Sequence, residues 1–177
     1  MNKFNLILDE VEDSIHSTDS ETSLVKERIS NYFGSNIDEL LSLAKGDAIV
    51  YGGAVRDSIA NLEIHDIDIM ALPKASRIIA EKLLQMEFKS IPFTKVDIAS
   101  LYTGLHIINE PWTFIKSNTI VQIIRPVVKP GESPRKALKS CIDNVDISCC
   151  GVAYIPNALW ETCQDALLHC RHKVFRV

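Results

Sequence analysis

The sequence predicts an α/β (α+β) fold, a mixed sheet flanked by helices with further helices at its N-terminus. Three observations carry that expectation. The apolar run Ala48-Ile49-Val50-Tyr51 is long enough for a buried strand, and it leads through two glycines into a short helical stretch, Val55 to Leu62. Asp66-Ile67-Asp68-Ile69-Met70-Ala71 then alternates polar and apolar residues as a second strand does. After it, Pro73 and Lys74 open an amphipathic helix carrying Ile78, Ile79, Leu83, Leu84 and Met86, a strand-to-helix crossover of the kind that covers a mixed sheet.

The remaining elements follow from the same reasoning. Leu6, Leu8, Val11 and Ile15 give a loose apolar stripe that the polar run Ser17-Thr18-Asp19-Ser20 interrupts. A helix starts at Glu21, with Leu24, Val25, Ile29, Tyr32 and Phe33 on one side, and Gly34-Ser35 ends it. Asn36 caps a third helix, Glu39 completes a start resembling a capping box, and Gly46 closes it. Downstream of the crossover, Phe88 to Phe93 reads as a short strand, and Val96 to Ile108 stays open between helix and loop. Trp112–Lys116 and Thr119–Arg125 are two strands joined by Ser117-Asn118, a polar two-residue connection that lacks the glycine such turns favour. Residues 126–134 hold three prolines and Gly131 and form a loop. A helix with Ala137, Leu138 and Cys141, a strand from Val145 to Tyr154, and a last helix introduced by Pro156-Asn157 with Leu159, Trp160, Cys163, Ala166 and Leu167 complete the chain before a basic tail. Residues 1–46 are thus an N-terminal helical segment and 47–177 the main domain, together one compact unit.

Composition bounds the function. At 177 residues, 46% hydrophobic and 24% charged, the chain is long enough for a substantial core and ordinary for a soluble globular protein. No apolar run approaches the length needed to span a bilayer, and acidic residues arrive too early for a signal peptide, so a cytoplasmic protein without membrane contact is expected. A net charge of −4 argues against a broad, non-specific grip on nucleic acid while leaving room for a local basic patch. Five cysteines, an odd number, argue for reduced thiols packed as small apolar side chains. Cys163, His169, Cys170 and His172 match no common zinc spacing.

The chemistry concentrates at residues 52–68. Gly52-Gly53 lets the backbone turn sharply and approach a ligand with no Cβ in the way. The turn opens a helix, where unpaired N–H groups and the positive dipole end favour phosphate. Asp66 and Asp68, two apart on a strand, present carboxylates to one face while Ile67 and Ile69 enter the core. Hard oxygen ligands so arranged suit Mg²⁺ (or Mn²⁺), which in turn carries triphosphate oxygens. Arg56 and Arg125 are the nearest cations for touching phosphate, with pairing to Asp57 or another acid as the alternative. His65 reads as a structural histidine.

Gly52-Gly53-Ala54-Val55-Arg56-Asp57 followed by Asp66-Ile67-Asp68 resembles the signature of the nucleotidyltransferase head domain of the poly(A) polymerase and tRNA CCA-adding enzyme family, a Gly-Gly-x-Val-Arg-Asp segment and then Asp-x-Asp on the next strand. The resemblance is strong over residues 48–72 and weaker to residue 177. It implies a polymerase-β-like fold for residues 47–177, without the helical neck, body and tail domains that read the base and hold the RNA. It further implies transfer of NMP from an NTP to an acceptor hydroxyl, with Asp66 and Asp68 as metal ligands and Gly52, Gly53, Arg56 and Arg125 on the nucleotide. Val145-Asp146-Ile147 resembles the family's Arg-Asp-Phe stretch and makes Asp146 the acid that helps fix the sugar, although Val145 and Cys150 replace an arginine and an asparagine. The family's third carboxylate falls at Gln122, leaving Asp146 or Asp97 to take that part. An RNA or tRNA 3′ end is the family's commonest acceptor, with a protein hydroxyl or a small molecule as alternatives. A non-catalytic nucleotide-, RNA- or protein-binding module on the same fold is the second expectation, and a protein partner is compatible with either.

Overall fold

The computed structural model describes residues 18–92, 108–133, 136, 150–161 and 164–174. Helix α1, Asp19–Phe33, starts at a full capping box. The Glu21 N–H donates to Thr18 Oγ1 at 3.3 Å, and the Thr18 N–H donates back to the Glu21 carboxylate at 3.4 Å. Of the polar run read as an interruption, Thr18 is therefore this helix's cap and Asp19 and Ser20 lie in its first turn. Asn36 caps α2, Ile37–Ser42, by accepting from the Asp38 N–H at 3.1 Å. There follow β1, Ala48–Tyr51; α3, Gly53–Ile59; β2, Ile67–Ala71; and α4, Pro73–Gln85, with its proline in the first turn where no N–H is missed. Strands β3, Lys89–Ile91, β4, Ile108–Lys116, and β5, Thr119–Pro126, come next. Ser117, at φ 53°, supplies the left-handed residue of the β4–β5 turn that a glycine would ordinarily give.

The chain ends differently from the expectation. Pro156-Asn157 does not introduce a helix. It is the turn of a hairpin, with Asn157 at φ 68°, that joins β6, Val152–Ile155, to β7, Ala158–Glu161. Leu159 and Trp160, spaced from Ala166 and Leu167 as a helical stripe would be, instead enter cores on opposite faces of the sheet, which only a strand allows. The last helix, α5, is Ala166–His172. The expectations for residues 1–17, for 96–107 and for the helix and strand across 137–149 lie outside the described residues, as do Asp97 and Asp146.

The seven strands form one mixed sheet in the order β3-β4-β5-β2-β1-β6-β7. Its neighbours are antiparallel except for β2 and β5, which run parallel. Alternation gives the sheet two faces. Val50, Ile67, Ile69, Val121, Ile123, Tyr154 and Leu159 face the side on which α1, α2 and α5 bury Val25, Ile29, Phe33, Leu40 and Leu167 in one continuous core. Ile49, Met70, Ile124, Ala153, Ile155 and Trp160 form a smaller apolar cluster on the other face. The carboxylates belong to this second face. Among the described residues no helix is long and apolar enough to cross a membrane.

Candidate active site

Asp68 sits in mid-sheet, in register with Tyr51 of β1 on one side and Gln122 of β5 on the other. It shares its face with Met70, two residues on, and strand alternation turns Asp66, at the entry to β2, the same way. Gly52 follows β1 with φ 74° and ψ −135°, a conformation open to glycine and strongly disfavoured for any residue with a Cβ. A Cβ added there would meet Asp68 Oδ2 at 3.9 Å, an ordinary contact, so the backbone angle rather than crowding demands the glycine. The glycine turn thus lies directly against the carboxylate.

Burial dominates the electrostatics of the pair. Part of Asp68 stays open to solvent, yet its Oδ1 is buried and has no hydrogen-bond partner. Burial, and then the neighbouring charge of Asp66, push its carboxyl up to about 7. Burial likewise raises Asp66, where Asp57 adds to the rise while His65 and Arg56 oppose it. A buried carboxylate oxygen left without a donor is costly unless a cation or proton joins it. Two hard oxygen donors on one face, one of them orphaned, therefore fit a divalent cation. Among the described residues, no group of three or more His, Cys, Asp or Glu side chains is placed to hold one.

The two arginines differ in their placement. Arg56 forks onto its own neighbour, Nε to Asp57 Oδ1 at 2.6 Å and Nη2 to Asp57 Oδ2 at 2.9 Å, and its Nη1 reaches Cys150 Sγ at 3.5 Å. Asp57 is 5% exposed, so the fork closes a buried charge just behind the glycine turn, where Arg56 Nη2 would lie 3.6 Å from a Cβ on Gly53. Arg125 shares the side of Ile123 by strand alternation, which is the helix-covered side, and its guanidinium lies 4.1 Å over the Trp112 ring. The structure does not bring it together with Asp66 and Asp68. Gln122 it does bring to Asp68. Sequence reasoning missed the contact between Arg56 and Cys150, since nothing local links residues 94 apart. Cys150 itself precedes β6, and neither it nor the buried Cys170 forms a disulfide.

The fold and the glycine–carboxylate constellation define the class, which is the nucleotidyltransferase fold. A CCA-adding enzyme in its apo form superposes with a TM-score of 0.60 at 18% identity, over 88% of this chain and 35% of that one. A CCA-adding enzyme in complex with CTP gives 0.60 at 19%, over 88% and 36%. The Thermotoga maritima CCA-adding enzyme complexed with tRNA gives 0.59 at 18%, over 88% and 35%. This chain spans about a third of the length of those proteins, and at such identity the likeness is one of fold. No curated protein matches the sequence. Residues 23–173 match the profile described as Gabija anti-defense 2 family protein, and the chain belongs to that family.

Proposed function

We propose that the chain is a metal-dependent nucleotidyltransferase that moves NMP from an NTP to an acceptor hydroxyl and releases pyrophosphate, with an RNA 3′ end as acceptor. The observation that carries the reading is the Asp68 carboxylate, whose Oδ1 is buried without a partner while its Oδ2 lies against the Gly52 turn. Asp66 and Asp68 would hold Mg²⁺ (or Mn²⁺), which would supply charge neutralisation to the triphosphate and the leaving group. The Gly52 and Gly53 N–H groups steady the phosphates, and the Arg56–Asp57 fork fixes the helix that carries the turn. The acceptor oxygen attacks the α-phosphorus in line. The bond from that phosphorus to the bridging oxygen breaks, its electron pair leaves with pyrophosphate, and the acceptor proton passes to solvent. Asp146 is assigned by resemblance to the nucleotide sugar. Complexes of CCA-adding enzymes with CTP, with ATP and with tRNA support an NTP and RNA as partners. Such a transfer would also give a member of an anti-defense family a means of covalently altering a component of the opposing system.

One observation favours a second reading, a binding module without turnover. Gln122 occupies the position in register with Asp68 where the resemblance calls for an acid. The experiment is incubation with each α-labelled NTP, Mg²⁺ or Mn²⁺ and total RNA, beside the Asp66→Asn/Asp68→Asn variant. Label entering RNA only with the wild-type chain is the expected result. Label entering protein keeps the reaction and changes the acceptor. No transfer, with nucleotide binding that survives the substitutions, overturns the catalytic reading in favour of the module.

A further inference from the structure

A cavity opens at the end of the sheet where β2 and β5 begin. It has a volume of about 560 Å³, within the range of small-ligand sites, and is lined by Arg28, Asn31 and Tyr32 of α1, by Glu63 and His65 of the α3–β2 connection, and by Asn118 of the β4–β5 turn. Hydrogen bonds fix its frame. The Tyr32 hydroxyl donates to the His65 carbonyl and accepts from the Ile120 N–H at 3.1 Å, and Thr119 Oγ1 donates to the Tyr32 carbonyl at 3.0 Å. The Arg28 guanidinium spends its two ends on Asn61 Oδ1 and the Leu62 carbonyl, leaving a buried Nε–H without a partner. Set on this frame, the side chains of Asn31, Asn118 and His65 line the cavity and are exposed to solvent.

We infer that this cavity is a nucleobase subsite, which seats a base of a single-stranded RNA whose end lies at the carboxylates. Two primary amides each offer a donor beside an acceptor, the pattern of a base edge, and an imidazole face offers a surface for stacking. Arg28 and Glu63 offset each other in charge, and the arginine's terminal nitrogens are already engaged, so the cavity suits a neutral planar group rather than a phosphate. Its place gives the base a purpose. His65 and Asp66 are consecutive, with Cα atoms about 3.8 Å apart, and alternation turns the two side chains to opposite sides. The cavity and the carboxylate face therefore adjoin at the start of β2, and a strand rounding that end reaches both.

This inference rests on RNA being the acceptor and deepens that reading. The test is titration of the full chain with a short single-stranded RNA and with its abasic counterpart, followed by the side-chain amide NMR signals of Asn31 and Asn118. It is repeated on Asn31→Ala/Asn118→Ala, whose thermal unfolding is checked first, and on Asp66→Asn/Asp68→Asn. We expect both amide signals to move with RNA and not with the abasic strand. Loss of the two amides should weaken binding about ten- to thirtyfold, and loss of the two carboxylates should leave the amide shifts in place. Unmoved amide signals, equal binding of the abasic strand, or full affinity in the Asn variant each overturn the subsite. Because the readout is binding, the subsite can stand where the labelled-NTP experiment gives no transfer, and fall where transfer is found.

Discussion

At the scale of single residues, Asp68 concentrates the physics of the site. Its carboxyl is raised from 3.8 to about 7 by burial and by Asp66. The fold therefore favours the protonated form, and the stability linked to Asp68 is fully present below about pH 4 and is lost as pH rises through 7. Asp66 is shifted in the same direction and adds to the slope. Thermal unfolding in chelator should accordingly give a midpoint that falls between these limits for the wild-type chain. In Asp68→Asn, where no proton is exchanged, the slope should flatten, leaving the variant the more stable protein at pH 8. Added Mg²⁺ should restore the wild type at that pH and leave the variant unmoved. A wild-type slope that the substitution does not change would remove Asp68 as its source. The arginine beside the turn behaves otherwise, because Asp57 already occupies its fork and keeps the pair neutral as a unit.

At the scale of elements, the Tyr32 hydroxyl adds hydrogen bonds to the apolar packing that holds α1 on the sheet. Tyr32 links the helix to the His65 carbonyl before β2 and to the Ile120 N–H in β5, so Tyr32→Phe leaves polar backbone groups without their partner. A cost of about 1–3 kcal/mol is expected, measured by urea unfolding, with faster amide exchange at Ile120. The elements also separate what is legible in a sequence from what is not. Gly52, Asp66 and Asp68 can be read directly, because a turn and a two-residue alternation are local patterns. Capping at Asn36 is legible for the same reason. Strand β7 is not, since Leu159, Trp160, Ala166 and Leu167 keep a helical spacing and only pairing with β6 reveals that Leu159 and Trp160 serve two faces. The start of α1 is hidden by residues that suit turns and caps equally well, and Thr18 is here a cap. Arg125 beside a phosphate is a guess from charge. Its side of the sheet follows from strand alternation and from Trp112, which stands against it across the β4–β5 pair.

At the scale of the whole molecule, the two faces of the sheet divide the labour. The helix-covered face carries the larger core, in which Ile69 is fully buried one residue from Asp68. Truncation by Ile69→Ala should cost about 2–5 kcal/mol, read as a lower urea midpoint with an unchanged slope. Should it cost far less, the covered face would not be the main source of stability. The order of the strands has a consequence in time. The glycines and carboxylates lie within residues 52–68, but the strands that flank them in the finished sheet come much later, β5 ending at Pro126 and β6 at Ile155. Pairing β2 with β5 closes a long loop, and pairing β1 with β6 closes a longer one, each at an entropic cost borne before its contacts form. On the ribosome, the residues of the site are synthesised early and wait. They become a site only after β6 has emerged, so a nascent chain halted before it holds the motif without the sheet that gives it meaning.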